Sequence, residues 1–341
     1  MPKPITLSEE STGPDTTNIM LVSRAKRYLY NRIKDQLAQL GFIKVESDLE
    51  FLFTSSGGLY LYQQGIITRL LRGNYFGITR LPDDQFIAMK YVQNGTRDER
   101  STAELFYLSG KLVVNSSPFE FRDQDDRLRV PVRVHQILFH EGFIWLTNTR
   151  QNLIWKCDLT GKIVKEWCYT ESFDYDPDTT STDAVRTKAR ASANYHHFNS
   201  ITFHKEHMYL LAHNSAGLDK SKDSFYLKLD HDFNIVDRVE GVGNACHNLV
   251  ECDDDFYICD SGNARIVHPK YPDVHLGYFA RGMIKVNNCL IVGGTTITDA
   301  PEMRGRGDSR IFFVPVGASK PIQSFSLGRT GDIHDIMLLE R

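Results

Sequence analysis

His247-Asn248-Leu249-Val250-Glu251-Cys252-Asp253-Asp254-Asp255-Phe256-Tyr257 reads as one β-hairpin: two short runs, rich in β-favouring residues, flank a turn of three aspartates. Its opening triplet has counterparts at Phe76-Gly77-Ile78, His135-Gln136-Ile137, Asn199-Ser200-Ile201, Arg281-Gly282-Met283 and His334-Asp335-Ile336. Ten residues after the lead position of the first five comes a large apolar residue: Phe86, Trp145, Tyr209, Tyr257 and Ile291. Polar turns separate the two halves, as at His140-Glu141-Gly142, His204-Lys205-Glu206 and Val286-Asn287-Asn288. The lead residues stand 59, 64, 48, 34 and 53 apart. A strand-built period of about 40–50 residues is the signature of a β-propeller.

Each repeat continues with two further strands. They read Leu153 to Trp167 in one unit and Phe225 to Val239 in the next, with similar pairs at 103–114, 265–276 and 310–327. The last unit stops after one strand, His334 to Leu339, and the missing strands lie at the other end of the chain, at 49–54, 58–63 and 65–71. Pairing the termini closes the ring and removes an exposed sheet edge. The expected fold is therefore all-β, a six-bladed β-propeller over residues 42–341. Residues 1–17 read as a disordered arm. Residues 18–41 read as an N-terminal helix packed outside the propeller, with Leu29, Ile33, Leu37 and Leu40 in one stripe and Arg24, Arg27 and Lys34 opposite. Docking to a partner or a membrane surface is the alternative use of that helix.

With 341 residues and a net charge of −3, the chain offers no electrostatic case for nucleic acid. No apolar run reaches the roughly 18–20 residues of a membrane span. The segment from Met1 to Asn18 has no secretory apolar region, which points to the cytoplasm. The six cysteines form no CxxC pair, so they read as free thiols, although Cys252 and Cys259 flank one hairpin.

The long connections join strand two to three or one blade to the next, and all fall on the face where the inner strands begin. Such a face is the functional one in a repeat protein. The lead residues Phe76, His135, Asn199, His247, Arg281 and His334 open onto it. His135, His247 and His334 alternate around the ring, so three imidazoles converge on one axis. That is the layout of a catalytic zinc site with an open position. Asn199 is placed to orient a bound water, and Arg281 to hold a carboxylate or phosphate. Asp260 and Asn148, thirteen residues past their histidines, are candidate partners for ring nitrogens, with capping of the following loop the equal alternative. The insertion 169–195 reads as a lid, with Tyr195 the aromatic nearest the site. His196 and His197 shortly precede Asn199 and are placed to enter it.

The run from His247 to Ile266, ending Asp260-Ser261-Gly262-Asn263-Ala264-Arg265-Ile266, resembles an NHL repeat. Among NHL-like propellers the layout is similar to the peptidyl-hydroxyglycine lyase family. That resemblance implies a six-bladed propeller holding zinc on three channel histidines, one in a His-Asp-Ile segment like His334-Asp335-Ile336. The family is secretory, disulfide-bonded and calcium-binding, features this chain does not display. The functional expectation is a metal-dependent lyase or hydrolase acting on a small polar or anionic substrate, or a short peptide, at the channel mouth. The alternative is a non-enzymatic propeller that binds a protein or peptide on its long-loop face.

Overall fold

The computed structural model describes residues 49–63, 66–82, 85–93, 101–108, 114–120, 134–149, 152–159, 163–168, 196–213, 223–298, 303 and 306–339. The expected arm 1–17, helix 18–41 and lid 169–195, Tyr195 included, lie outside them. The described strands form six four-stranded antiparallel sheets in a propeller arrangement. We number these blades by their inner strands: Asn74–Arg80 in blade 1, Val134–His140 in blade 2, Phe198–His204 in blade 3, His247–Cys252 in blade 4, Phe279–Val286 in blade 5 and Ile333–Leu338 in blade 6.

Blade 6 joins the two ends of the chain. Its inner strand pairs antiparallel with Glu50–Ser55, in the register Phe51↔Leu338, Leu52↔Met337 and Phe53↔Ile336. Phe51, Leu52 and Phe53 are completely buried. The apolar faces of neighbouring blades pack on each other: Leu81, Ile87 and Met89 of blade 1 meet Ile137, Ile144 and Leu146 of blade 2 in one cluster. The inner hairpins of blades 2 to 5 are tight two-residue loops with left-handed residues, as at Glu141 and Gly142 (φ 49 and 81) or Asp253 and Asp254 (φ 52 and 63). Gly, Asn and Asp tolerate that conformation best, and it matches the twist of the paired strands.

Every inner strand carries an irregularity at its lead residues, and the sequence pattern did not show it. Phe76 and Gly77 fall between the pairs Tyr75↔Lys90 and Ile78↔Ala88, so two residues oppose one. His135 and Gln136 do the same between Val134↔Asn148 and Ile137↔Leu146, as do Arg281 and Gly282 between Ala280↔Gly294 and Met283↔Val292. Asn199, Asn248 and His334 are the extra residues in the other three strands. A β-bulge of this kind re-aims consecutive side chains.

The second residue of each lead pair then reaches the next inner strand around the axis. Gln136 Oε1 accepts from Ile201 N at 2.6 Å, and Ser200 Oγ from Asn248 N at 2.8 Å. Asn248 Oδ1 accepts from Gly282 N at 2.8 Å, and Asp335 Oδ2 from Ile78 N at 3.3 Å. The two remaining steps use close backbone approach. A Cβ on Gly282 (φ +73) would lie 3.2 Å from Asp335 Cα, and one on Gly77 would lie 2.6 Å from Ile137 Cγ2 and 2.7 Å from its amide nitrogen. Hydroxyls add further ties between blades: Thr54 Oγ1 donates to the Phe76 carbonyl at 3.0 Å and Thr149 Oγ1 to that of Phe198 at 2.6 Å.

Two outcomes test this architecture by thermal melting. Truncation after Gly331 removes the blade 6 inner strand and is expected to abolish the cooperative transition, because it reopens the sheet edge. Gly77→Ala places a methyl against the blade 2 backbone, and overpacking of this kind costs about 1–3 kcal/mol. Unchanged melting of either variant contradicts the closed ring described above.

Candidate functional site at the channel mouth

The bulges bring lead residues of different blades together on the axis. Phe76 stacks on His334, with ring centroids 4.1 Å apart and planes 12° from parallel. On its other side Phe76 lies 5.3 Å from His135. Arg281 crosses from blade 5 to blade 2, opposite in the ring, where its Nη2 donates to His135 Nδ1 at 3.2 Å. Its guanidinium carbon also stands 5.6 Å from the Phe76 ring centre. Arg281, His247 and His334 are all buried, at 6%, 4% and 5% exposure, and His135 is partly so.

The hydrogen bonds fix the tautomers. His334 Nδ1 lies 2.7 Å from the Tyr75 carbonyl; a carbonyl only accepts, so Nδ1 carries the proton and Nε2 keeps its lone pair. His247 Nδ1 lies 3.0 Å from Ser261 Oγ. The single hydroxyl proton of Ser261 is directed at the Ala280 carbonyl, 2.5 Å away, so the imidazole donates here too. His135 is the opposite case. Its Nδ1 accepts from Arg281, so its neutral form carries the proton on Nε2.

The charge states follow from the surroundings. Burial first, then the Arg281 cation, holds His334 well below the ordinary imidazole value, against the opposing pull of the Tyr75 carbonyl. His135 is lowered well below it by burial, Arg281 and the neighbouring His197, His247 and His334. Burial pushes the Asp335 carboxyl up to about 7, although two backbone amides and Arg281 favour its charged form. At neutral pH both His135 and His334 are uncharged, and Arg281 is the fixed cation of the mouth.

The structure enlarges the histidine set. His197 meets His135 edge-on at 4.9 Å between ring centroids, His213 lies 4.9 Å from His197, and His247 lies 5.3 Å from His213. Four imidazoles thus run in contact from blade 2 past blade 3 to blade 4. His213 escaped the sequence reading; the signal for it was its place one residue beyond the second strand of blade 3. His196 turns away into the core, 5.0 Å from the Phe225 ring. Asn199 donates through Nδ2 to the Cys246 carbonyl at 2.8 Å, which ties it to blade 4. Its Oδ1 is buried and accepts no hydrogen bond among the described residues.

Of the two roles open to Asp260, the structure gives it the capping one. Asp260 is not a partner of His247. Its carboxylate instead receives Arg265 Nε at 2.7 Å, Asn263 Nδ2 at 2.9 Å and Asn244 N at 2.7 Å, a clamp on the turn that follows the strand. His135, His247 and His334 share the mouth. Among the described residues no three His, Cys, Asp or Glu side chains are grouped to hold a metal. His334 carries its proton on Nδ1 and turns Nε2 towards the Asp332 carboxylate, 3.9 Å away, whereas the Nδ1 lone pair of His135 is taken by Arg281. None of Cys157, Cys246, Cys252, Cys259 and Cys289 is in a disulfide. No helix among the described residues is long and apolar enough to cross a membrane.

The acid response of stability checks these charge states. His334 and His135 have folded values below the 6.5 of the unfolded ring. The stability they confer is complete above that value and is lost as pH falls below it. Asp335, raised from 3.8 to about 7, acts in the opposite sense: its contribution is full at low pH and is lost as pH rises through about 7. From about pH 6.5 to 5 the melting temperature of His334→Asn should therefore fall less than that of the unaltered protein. That of Asp335→Asn should fall more. The reverse order contradicts the charge assignment.

Comparison with known proteins supports the fold. A chain in the crystal structure of a nidogen/laminin complex matches with a TM-score of 0.56 at 10% identity, over 85% of this chain and 98% of that one. A protein of unknown function from Bacteroides caccae matches with a TM-score of 0.55 at 9% identity, over 86% and 100%. No protein-family model matches the chain, and neither does any curated protein.

Proposed function

We propose that the protein binds a small anionic molecule, a carboxylate or phosphate, at the long-loop end of the channel, with Arg281 as its anchor. The observation supporting this reading is a buried guanidinium held on the channel axis beside two uncharged imidazoles. Guanidinium is a planar fork of five donors and stays charged at every working pH. His135 takes one of those donors, and its Nε2–H is a further donor. Hydrogen bonds from such groups to an anion are charge-assisted, and they strengthen where the surroundings exclude water. Asn199 Oδ1 adds an acceptor for a hydroxyl or amide of the same ligand.

A thermal-shift screen of small carboxylates and phosphates tests this. A ligand at about a hundred times its Kd stabilises a folded protein by about 2.7 kcal/mol. The shift should vanish in Arg281→Ala and shrink in Arg281→Lys, which keeps the charge and loses the fork. A ligand that stabilises Arg281→Ala as strongly as the unaltered protein removes the proposal.

Metal-dependent lysis or hydrolysis is the second reading. It is favoured by His247 and His334, whose Nδ1–H groups are tied to Ser261 and Tyr75 in the way that orients metal-bound imidazoles. It requires His135 to give up its bond from Arg281. Elemental analysis separates the two. The anion reading expects substoichiometric zinc in the purified protein. One zinc per chain, lost in each of His135→Ala, His247→Ala and His334→Ala, establishes the metal reading instead.

A further inference from the structure

Below the lead residues the channel opens into a cavity of about 490 Å³ lined from all six inner strands. It lies on the short-turn side of the bulges, away from the histidine mouth. Its floor is polar: Gln136 of blade 2 and Asp335 of blade 6, both members of the circle that links the inner strands. Its walls mix aliphatic side chains, Met283 and Met337 among them, with the polar Thr202 and Asn287. Glu251 and Lys285 line the cavity as exposed residues of blades 4 and 5.

Such a volume lies within the roughly 300–1,000 Å³ of small-molecule sites, and aliphatic side chains with convergent polar groups line it. Asp335 supplies the directional element. It is 6% exposed, and among the described residues each oxygen accepts one backbone amide, Ile336 N at 3.0 Å on Oδ1 and Ile78 N at 3.3 Å on Oδ2. A carboxylate has about four lone-pair sites, so acceptor capacity remains on the floor. We infer that this cavity is a second ligand site, for a compact apolar molecule bearing a hydrogen-bond-donating head, a primary amine or alcohol, seated on Asp335. Gln136 narrows the choice by placing an amide on the same floor. The site differs from the mouth in its polar group, a hydrogen-bond acceptor in place of a cation, as well as in position, so it stands independently of the anion reading.

Methyl NMR of protein labelled at methionine provides the test, because Met283 and Met337 line the cavity while Met89 and Met208 belong to inter-blade cores. The probes are 2-phenylethylamine, 2-phenylethanol and 3-phenylpropanoate. The amine and the alcohol should shift the Met283 and Met337 signals saturably and leave Met89 and Met208 in place. The carboxylate should bind at least about tenfold more weakly, about 1.4 kcal/mol. This comparison needs no variant. Asp335→Asn should weaken the amine by a similar factor. The inference is overturned by an absence of saturable shifts, by equal binding of the carboxylate, or by amine binding that survives Asp335→Asn unchanged in a folded protein.

Discussion

The structure depends on a circle of contacts one residue wide. At or just after each bulge an inner strand meets the preceding blade, through a side-chain acceptor in four places and a bare glycine in two. Each hydrogen bond adds only about 0.5–1.5 kcal/mol net, but a buried amide left unserved costs about 1–3 kcal/mol. The circle therefore constrains more than it stabilises. Gln136, Ser200, Asn248 and Asp335 are polar because a neighbouring amide requires an acceptor. Gly77 and Gly282 lack side chains because the adjoining backbone stands too near for one.

The same bulges build the mouth. An unbroken ladder would alternate side chains regularly between the two faces of each blade. One extra residue per inner strand breaks that alternation and lets lead residues from opposite blades meet, as Arg281 of blade 5 meets His135 of blade 2. Burial there does two things. It strips solvation from His135 and His334, so both stay neutral, and it holds the Arg281 cation beside them. The mouth and the cavity beneath it then differ in character. One presents a cation beside the neutral rings of His135 and His334, the other a carboxyl beneath mixed apolar and polar walls.

Much of the architecture was legible without coordinates. The recurring triplets located all six inner strands, and the truncated final repeat revealed that the termini share a blade. Four of the six lead residues, Phe76, His135, Arg281 and His334, touch one another, as expected where equivalent positions in repeats occupy equivalent places around an axis. Two members of the histidine run were harder to read. His197 lies before its strand and His213 after the next, so neither occupies a repeat position, and only the fold of blade 3 carries them to the mouth.

What the sequence determined by itself is local and periodic: alternating residues, turn chemistry at Glu141-Gly142 and Asp253-Asp254, and a repeat that must close on itself to bury its edges. Those properties depend on neighbours a few residues away, or on the period alone. The tertiary structure decided the bulges, the tautomers and the charge states. A bulge exists only relative to the register of a paired strand. The proton of His334 is fixed by the carbonyl of Tyr75, 259 positions away in the chain. The lone pair of His135 is taken by Arg281, 146 positions away. Three histidines at alternate blades suggested a metal site by symmetry. Which nitrogen of each ring faces the axis, and with what charge beside it, depends on long-range packing that the repeat pattern does not encode.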